Sequence, residues 1–325
     1  MNSVLEEATA LAGRMVLGVA GRTMPPRLTI LIFHRVLREP DPLFPAELHA
    51  ARFERLMRTV SRLFQVIPLD QAVHQLGVGS LPSRAVAISF DDGYADNHDV
   101  ALPILRQLGL SATVFVSTGF LDGGRMWNDS VIECVRRTTM PNLDISEFGF
   151  GRLPAVTAED RRRVIDLLLP VLKYRSPVER EQMLRRVHQL TGNPELPRDF
   201  MMSKEQVRAL HRAGMGVGAH TVRHPILCTL SEAEAQAELV ESREQLQSML
   251  DAPVPLFAYP NGRPGKDYDE RHVKMARAAG FTAAVSTQPG VARTGVDLFQ
   301  LPRYTPWDVS NVRWAARLAM HHVRS

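Results

Sequence analysis

Ser89-Phe90-Asp91-Asp92-Gly93-Tyr94 closes the small and apolar run Ala85-Val86-Ala87-Ile88 at a glycine turn. A run of this length bounded this way reads as a buried strand. Two adjacent carboxylates at its end repel, and one is pushed toward its neutral form unless a cation or a donor holds the pair. Either Asp91 and Asp92 cap the next helix, as Asp-rich turns often do, or something positive sits beside them. What the rest of the chain brings to that place decides.

Working outward, Leu28-Thr29-Ile30-Leu31-Ile32-Phe33-His34 is an apolar strand ending on a histidine. That is where α/β proteins bind ligands, although a lone histidine there is more often structural. Downstream, Val100, Leu102, Ile104, Leu105 and Leu108 mark a helix stopping at Gly109, followed by the strand Ala112-Thr113-Val114-Phe115-Val116-Ser117. Strand, helix, strand at this spacing predicts βαβ units and a parallel sheet. Helices are also expected from Ala50 to Leu63, Leu69 to Leu76, Ser203 to Ala213 and Ser231 to Leu250, the last with Glu234 as capping-box partner of Ser231. Further strands fall at Val66 to Leu69, Gly216 to His220, Val254 to Tyr259, Phe281 to Ser286 and near Phe299 to Leu301. About eight strands, most followed by helices, predict an α/β fold: a distorted parallel (β/α) TIM-like barrel over residues 28–305.

The alternation breaks over 125–202, where two arginine-rich amphipathic helices, Glu159 to Lys173 and Pro177 to Leu190, read as a helical insertion with a solvated basic face. Residues 1–27 hold an amphipathic helix, with Leu5, Ala8, Leu11, Met15 and Val19 on one side. Residues 306–325 form a basic helix capped by Asp308 or Ser310, with His321 and His322 as a solvated tail.

The chain has 325 residues, 45% hydrophobic and 23% charged, enough for a large core. A net charge of +4 is too weak to argue nucleic-acid binding. Cys134 and Cys228 stand far apart in no ligand-like pair. The acidic start lacks a secretory pattern, and no apolar run reaches the length of a membrane span. The expectation is a cytoplasmic chain, or one peripheral to the inner membrane face.

His220-Thr221-Val222-Arg223-His224-Pro225 places two imidazoles four apart at a strand end. Pro225 disfavours helix for His224, so the pair sits on a loop. With a carboxylate from another strand end they make a three-ligand site for Zn²⁺ or a similar ion. A zincin would need glutamate where Thr221 stands, and a non-haem iron oxygenase has no use for a second adjacent aspartate. A hydrolase does, as a proton acceptor for the attacking water.

The motifs at 89–94 and 220–224, with Phe257-Ala258-Tyr259-Pro260-Asn261-Gly262, resemble in order and spacing the polysaccharide deacetylases of the NodB-homology group, carbohydrate esterase family 4. The resemblance implies removal of acetyl groups from an N-acetylated glycan. Asp91 would be the base, and Asp92, His220 and His224 the ligands of a divalent ion: Zn²⁺ first, with Ni²⁺, Co²⁺ or Fe²⁺ as alternatives. The Tyr259 backbone N–H would face the oxyanion, with Pro260 beside it in the substrate site. Ala258 stands where many members carry an arginine that pairs with the base, and Arg303 is the candidate substitute. The family's late Leu-x-x-His motif is missing from the C-terminal part, but Leu31-Ile32-Phe33-His34 has that pattern, similar to a circularly permuted subgroup of exopolysaccharide deacetylases. His34 would then protonate the departing amine and Leu31 line the acetyl pocket. Trp127 either stacks on a sugar or packs under the long loop. O-acetyl ester or non-glycan amide hydrolysis, and a non-catalytic glycan-binding module, are the rival readings.

Overall fold

The computed structural model describes residues 25–306 and 311–324, the latter with side chains over 313–323. The expected helix within 1–27 and the caps Asp308 and Ser310 lie outside the described residues.

The strands β1 (Arg27–Phe33), β2 (Gln65–Val66), β3 (Ala85–Phe90) and β4 (Thr113–Val116) alternate with helices α1 (Ala50–Leu63), α2 (Leu69–Gly77) and α3 (Leu102–Gln107), the last entered through a π-turn at Asn97–Ala101. After the insertion come α7 (Lys204–Arg212), β7 (Gly216–Ala219), α8 (Glu232–Leu250), β8 (Leu256–Ala258), α9 (Glu270–Ala278), β9 (Ala283–Pro289), β10 (Ala292–Arg293), β11 (Leu301–Arg303) and α10 (Asn311–Arg324). In the sheet, β1, β3, β4, β7, β8, β9 and β11 run parallel in that order, with β2 alongside β3 and β10 antiparallel to β1. Past β11, Tyr304 donates to the Ile30 carbonyl at 2.8 Å and accepts from Ile32 N–H at 3.1 Å. These two bonds bring the last strand back to the first and make the sheet a nearly closed barrel.

Side-chain alternation separates the barrel interior from its helical coat. Leu28, Ile30, Ala85, Ala87, Leu256, Ala258, Ala283 and Val285 share one inner cluster, with Phe115. Four of these are alanines, and Phe115 fits because Gly218 lies opposite: a Cβ there would meet the ring at 2.4 Å. Leu31, Phe33, Val86, Ile88, Phe90, Phe257 and Tyr259 face outward and pack under the helices with Phe53, Leu56 and Val60 of α1.

The insertion contains α4 (Trp127–Arg137), an antiparallel hairpin of β5 (Asn142–Asp144) and β6 (Arg152–Pro154), α5 (Ala158–Lys173) and α6 (Pro177–Leu190). It has an apolar cluster of its own, including Val131, Val135, Leu143, Ile165 and Leu168, and Leu43 from the loop after β1 joins it. The hairpin was not expected, because three-residue strands carry too few alternations to register. Nor are all the insertion's arginines solvated: Arg161 donates to the carbonyls of Ala155 and Arg136, and Arg180 is buried. Among the described residues no helix is long and apolar enough to cross a membrane.

His322 corrects the expectation of a solvated tail. It is 4% exposed, bonded through Nδ1 to Thr29 Oγ1 at 2.9 Å and set edge-on to Phe64. Arg27 on β1 donates to the His322 and Val323 carbonyls, tying α10 to the barrel. Burial, aided by the Arg27 charge, pushes the imidazole down to about 4. The native state therefore holds His322 neutral while the unfolded chain takes up a proton below about pH 6.5. Stability is complete above that value and falls as pH drops toward 4, by on the order of 3 kcal/mol from this group. Urea unfolding across this range should show a shallower acid loss for His322→Gln than for the native chain; identical slopes would exclude the buried imidazole as the cause.

Candidate active site

β3 ends at Phe90, and the chain then turns through two consecutive left-handed residues, Asp92 (φ +77°) and Gly93 (φ +87°). A Cβ at Gly93 would also crowd Val116 Cγ1 at 3.2 Å, so glycine answers both the dihedral and the packing on β4. The turn leaves both carboxylates at the C-terminal rim.

Asp91, 2% exposed, is gripped by Arg303 on β11: Nη1 donates to Oδ1 at 2.7 Å and Nη2 to Oδ2 at 2.6 Å. Arg303 is itself 1% exposed, and its Nε donates to the Ser286 carbonyl at 2.8 Å, with Ser89 Oγ 3.3 Å from Nη1. Burial would raise the Asp91 pKa, but the guanidinium outweighs it and holds the carboxyl below the usual range. Each carboxylate oxygen keeps a lone pair beyond the one Arg303 uses, so the group is ionised and still able to accept.

Asp92 faces the other way, toward His220 at the end of β7 and His224 four residues on. His220 Nδ1–H donates to the Ala258 carbonyl at 2.7 Å, which leaves the Nε2 lone pair aimed at Asp92 Oδ1, 3.4 Å away. His224 Nε2 is 3.3 Å from the same oxygen, and the two rings stand edge to face with centroids 4.8 Å apart. One ligand atom from each of Asp92, His220 and His224 falls within 4.8 Å of the others. Asp92 Oδ1 is buried and makes no hydrogen bond. Acceptors converging around a buried, unsatisfied oxygen suit a cation placed between them, so this donor set fits a divalent ion. Burial opposes charge on both imidazoles: it pushes His224 down to about 4, whereas at His220 the neighbouring Asp92 and Asp91 outweigh it and raise the pKa.

The loop carrying the histidines is strained. Thr221 and His224 have φ +63° and +52°, conformations that cost on the order of 1–3 kcal/mol each outside glycine. Thr221 Oγ1 donates to the His220 carbonyl at 2.5 Å and accepts from His224 N–H at 3.0 Å. Glu238, 2% exposed on α8, accepts from Val222 N–H, Arg223 N–H and Arg223 Nε at 2.7 to 2.9 Å.

His34 is exposed just past β1, its carbonyl held by Asn97 Nδ2 at 2.8 Å, and its ring lies near enough to Asp91, Asp92 and His224 to interact with them electrostatically. Pro260 is buried immediately beyond β8. Two expected placements are corrected, and of the two readings of Trp127 the structure shows the packing one. Leu31 packs in the outer cluster under α1, because three residues along a strand put it on the face opposite His34. The Tyr259 N–H donates to the Val285 carbonyl at 3.2 Å in the β8–β9 ladder, so it is not a free oxyanion donor, and the ring lies 3.8 Å from that of Tyr268 in the core. Trp127 packs on the insertion's cluster with the Arg180 guanidinium 5.3 Å above its ring, which covers that face against a sugar.

Sequence reasoning also missed a bond between the motif and the insertion: Tyr94 OH donates to buried Asp129 Oδ2 at 3.0 Å. Burial pushes Asp129 up to about 7. Glu238 was hidden within a long helix, although a glutamate in register with Ala235, Leu239 and Leu246 was a signal. A second group within 4.8 Å, Cys228, Asp269 and His272, is a helix cap: His272 Nδ1 accepts the Asp269 N–H at 3.0 Å, and Asp269 accepts the Arg271 N–H.

A barrel with an ionised, arginine-bound carboxylate beside a cluster of metal-suited acceptors has the parts of a metal-assisted hydrolase. The chain is a member of the polysaccharide deacetylase family, whose sequence model matches residues 79–143 and 171–284, more than half its length. The gap at 144–170 holds β6 and most of α5, and residues 1–78 and 285–325, with His34 and Arg303, also lie outside the match. The Bacillus subtilis (strain 168) protein YxkH, which carries a polysaccharide deacetylase name, is 22% identical over 281 residues, 86% of this chain and 71% of that one. Streptococcus pyogenes deacetylase PplD in complex with acetate superposes with a TM-score of 0.60 at 19% identity, covering 90% of this chain and 98% of that one. IcaB from Ammonifex degensii gives 0.57 at 18% identity, covering 91% and 97%. These structural likenesses establish the shared fold.

Proposed function

We propose that this deacetylase removes N-acetyl groups from a surface or secreted polysaccharide or its precursor, with Asp92, His220 and His224 holding a divalent ion, Zn²⁺ by the chemistry of one carboxylate and two imidazoles. The observation that carries it is the unsatisfied Asp92 Oδ1 facing the Nε2 atoms of both histidines. When bound, such an ion supplies Lewis acidity, polarising an acetamide carbonyl and easing loss of a proton from water. Asp91 then accepts that proton, Arg303 keeping it ionised and fixed in position. His34, at the open mouth, delivers a proton to the departing amine. Acetate leaves, and the glycan gains a positive charge.

The test is metal analysis of the purified chain combined with acetate release from defined N-acetylated oligosaccharides. The native chain is expected to hold one zinc equivalent and release acetate, to lose both on treatment with a chelator, and to regain both with Zn²⁺. His220→Ala is expected to hold no zinc and show no turnover. Acetate release undiminished by chelation or by His220→Ala would defeat the proposal.

A further inference from the structure

We infer that Glu238 is a positioning residue that sets the spacing of His220 and His224; this rests on the metal reading above. The two histidines sit at the ends of a loop whose left-handed residues, Thr221 and His224, would relax toward ordinary dihedrals if the loop were released. Between those two residues, Val222 N–H and Arg223 N–H both point toward α8. There a single oxygen, Glu238 Oε2, accepts both, at 2.8 and 2.9 Å, and Oε1 accepts Arg223 Nε at 2.7 Å. On the opposite side Gly119 N–H donates to the Val222 carbonyl at 2.8 Å and Thr118 N–H to the Thr221 carbonyl at 3.2 Å. The loop is thus clamped between α8 and the segment after β4.

The position is otherwise one for packing: its neighbours on that face, Ala235, Leu239 and Leu246, are fully buried. A carboxylate among them is costly unless it is paired. Arg223 alone does not account for it, since that side chain is 73% exposed and an ion pair so open to solvent contributes little. The backbone bonds are what the buried charge serves. They fix the crossing of the loop, and hence the distance between two imidazoles that must meet the same ion. Outer contacts of this kind govern how well ligands are presented.

The test is Zn²⁺ affinity of the chelator-stripped full-length chain, measured by competition with a chromophoric chelator, beside kcat at limiting and at saturating Zn²⁺. Glu238→Ala is expected to bind Zn²⁺ about 10- to 100-fold more weakly, with kcat restored by excess Zn²⁺, which general structural damage would not allow. Glu238→Gln, which keeps the volume and one acceptor oxygen, is expected to fall between that variant and the native chain. Should Glu238→Ala fail to fold, the glutamine variant decides. Arg223→Ala, which leaves both backbone bonds, is expected to lose less than about fivefold. Native affinity in both Glu238 variants, or an Arg223→Ala loss equal to that of Glu238→Ala, would overturn the inference while leaving the metal reading intact. Absence of zinc binding by the native chain would overturn both.

Discussion

Asp91→Asn is expected to lower kcat by roughly 10²- to 10⁴-fold while zinc content stays at the native level. The substitution is nearly isosteric and leaves one oxygen for Arg303, but an amide cannot accept a proton from water. Because Asp92, not Asp91, faces the histidines, metal content and turnover should separate in this variant, whereas in His220→Ala they fall together. Turnover is to be read well below the melting temperature, since the neutral amide compensates the buried guanidinium only in part. Native kcat in Asp91→Asn would remove that residue from the chemistry.

Arg303→Leu is expected to destabilise the fold by about 3–5 kcal/mol, because it leaves the Asp91 carboxylate buried without its partner. Both groups are almost wholly inaccessible and joined by two hydrogen bonds, so water cannot replace the guanidinium. The double variant Asp91→Asn with Arg303→Leu should be more stable than Arg303→Leu alone, since it has no unpaired charge. The pH dependence has a definite sign. In the native chain the depressed Asp91 pKa means that the pair's contribution is present above the ordinary carboxylate value near 4 and lost as pH falls through the lower native value. In Arg303→Leu, protonation of Asp91 relieves the penalty, so the deficit against the native chain should shrink in acid. Chemical denaturation of the three proteins at neutral and acidic pH checks this; a deficit that persists or grows in acid would show that the charge is not its source.

Arg303 illustrates how far the motifs could be read. Ala258 left the expected base without the arginine that the family resemblance implies, and the sequence offered only a strand-end arginine 212 residues from Asp91. The barrel brings the two together because β11 returns to β1 through Tyr304, a closure made by backbone bonds that no local pattern announces. Leu31 and His34 were legible as a motif, but the face each occupies depends on where the strand ends and the loop begins. Tyr259 was legible as a strand-end residue, yet whether its N–H is free depends on how far the ladder to β9 extends. His322 looked like a polar tail because helical amphipathicity shows which residues share a face, not what covers that face.

The amino-acid sequence by itself determined most strands and helices of the barrel, though not β10, together with the carboxylate pair at one strand end and the two histidines at another, because each follows from local periodicity and from residue chemistry within a few positions. Only the tertiary structure decided that Asp91 meets Arg303, that Asp92 meets both imidazoles, that Glu238 reaches back to their loop and that Tyr94 meets Asp129. Those pairings depend on strand order and on which side of a helix faces the rim, and both are set by burial of the whole apolar surface at once.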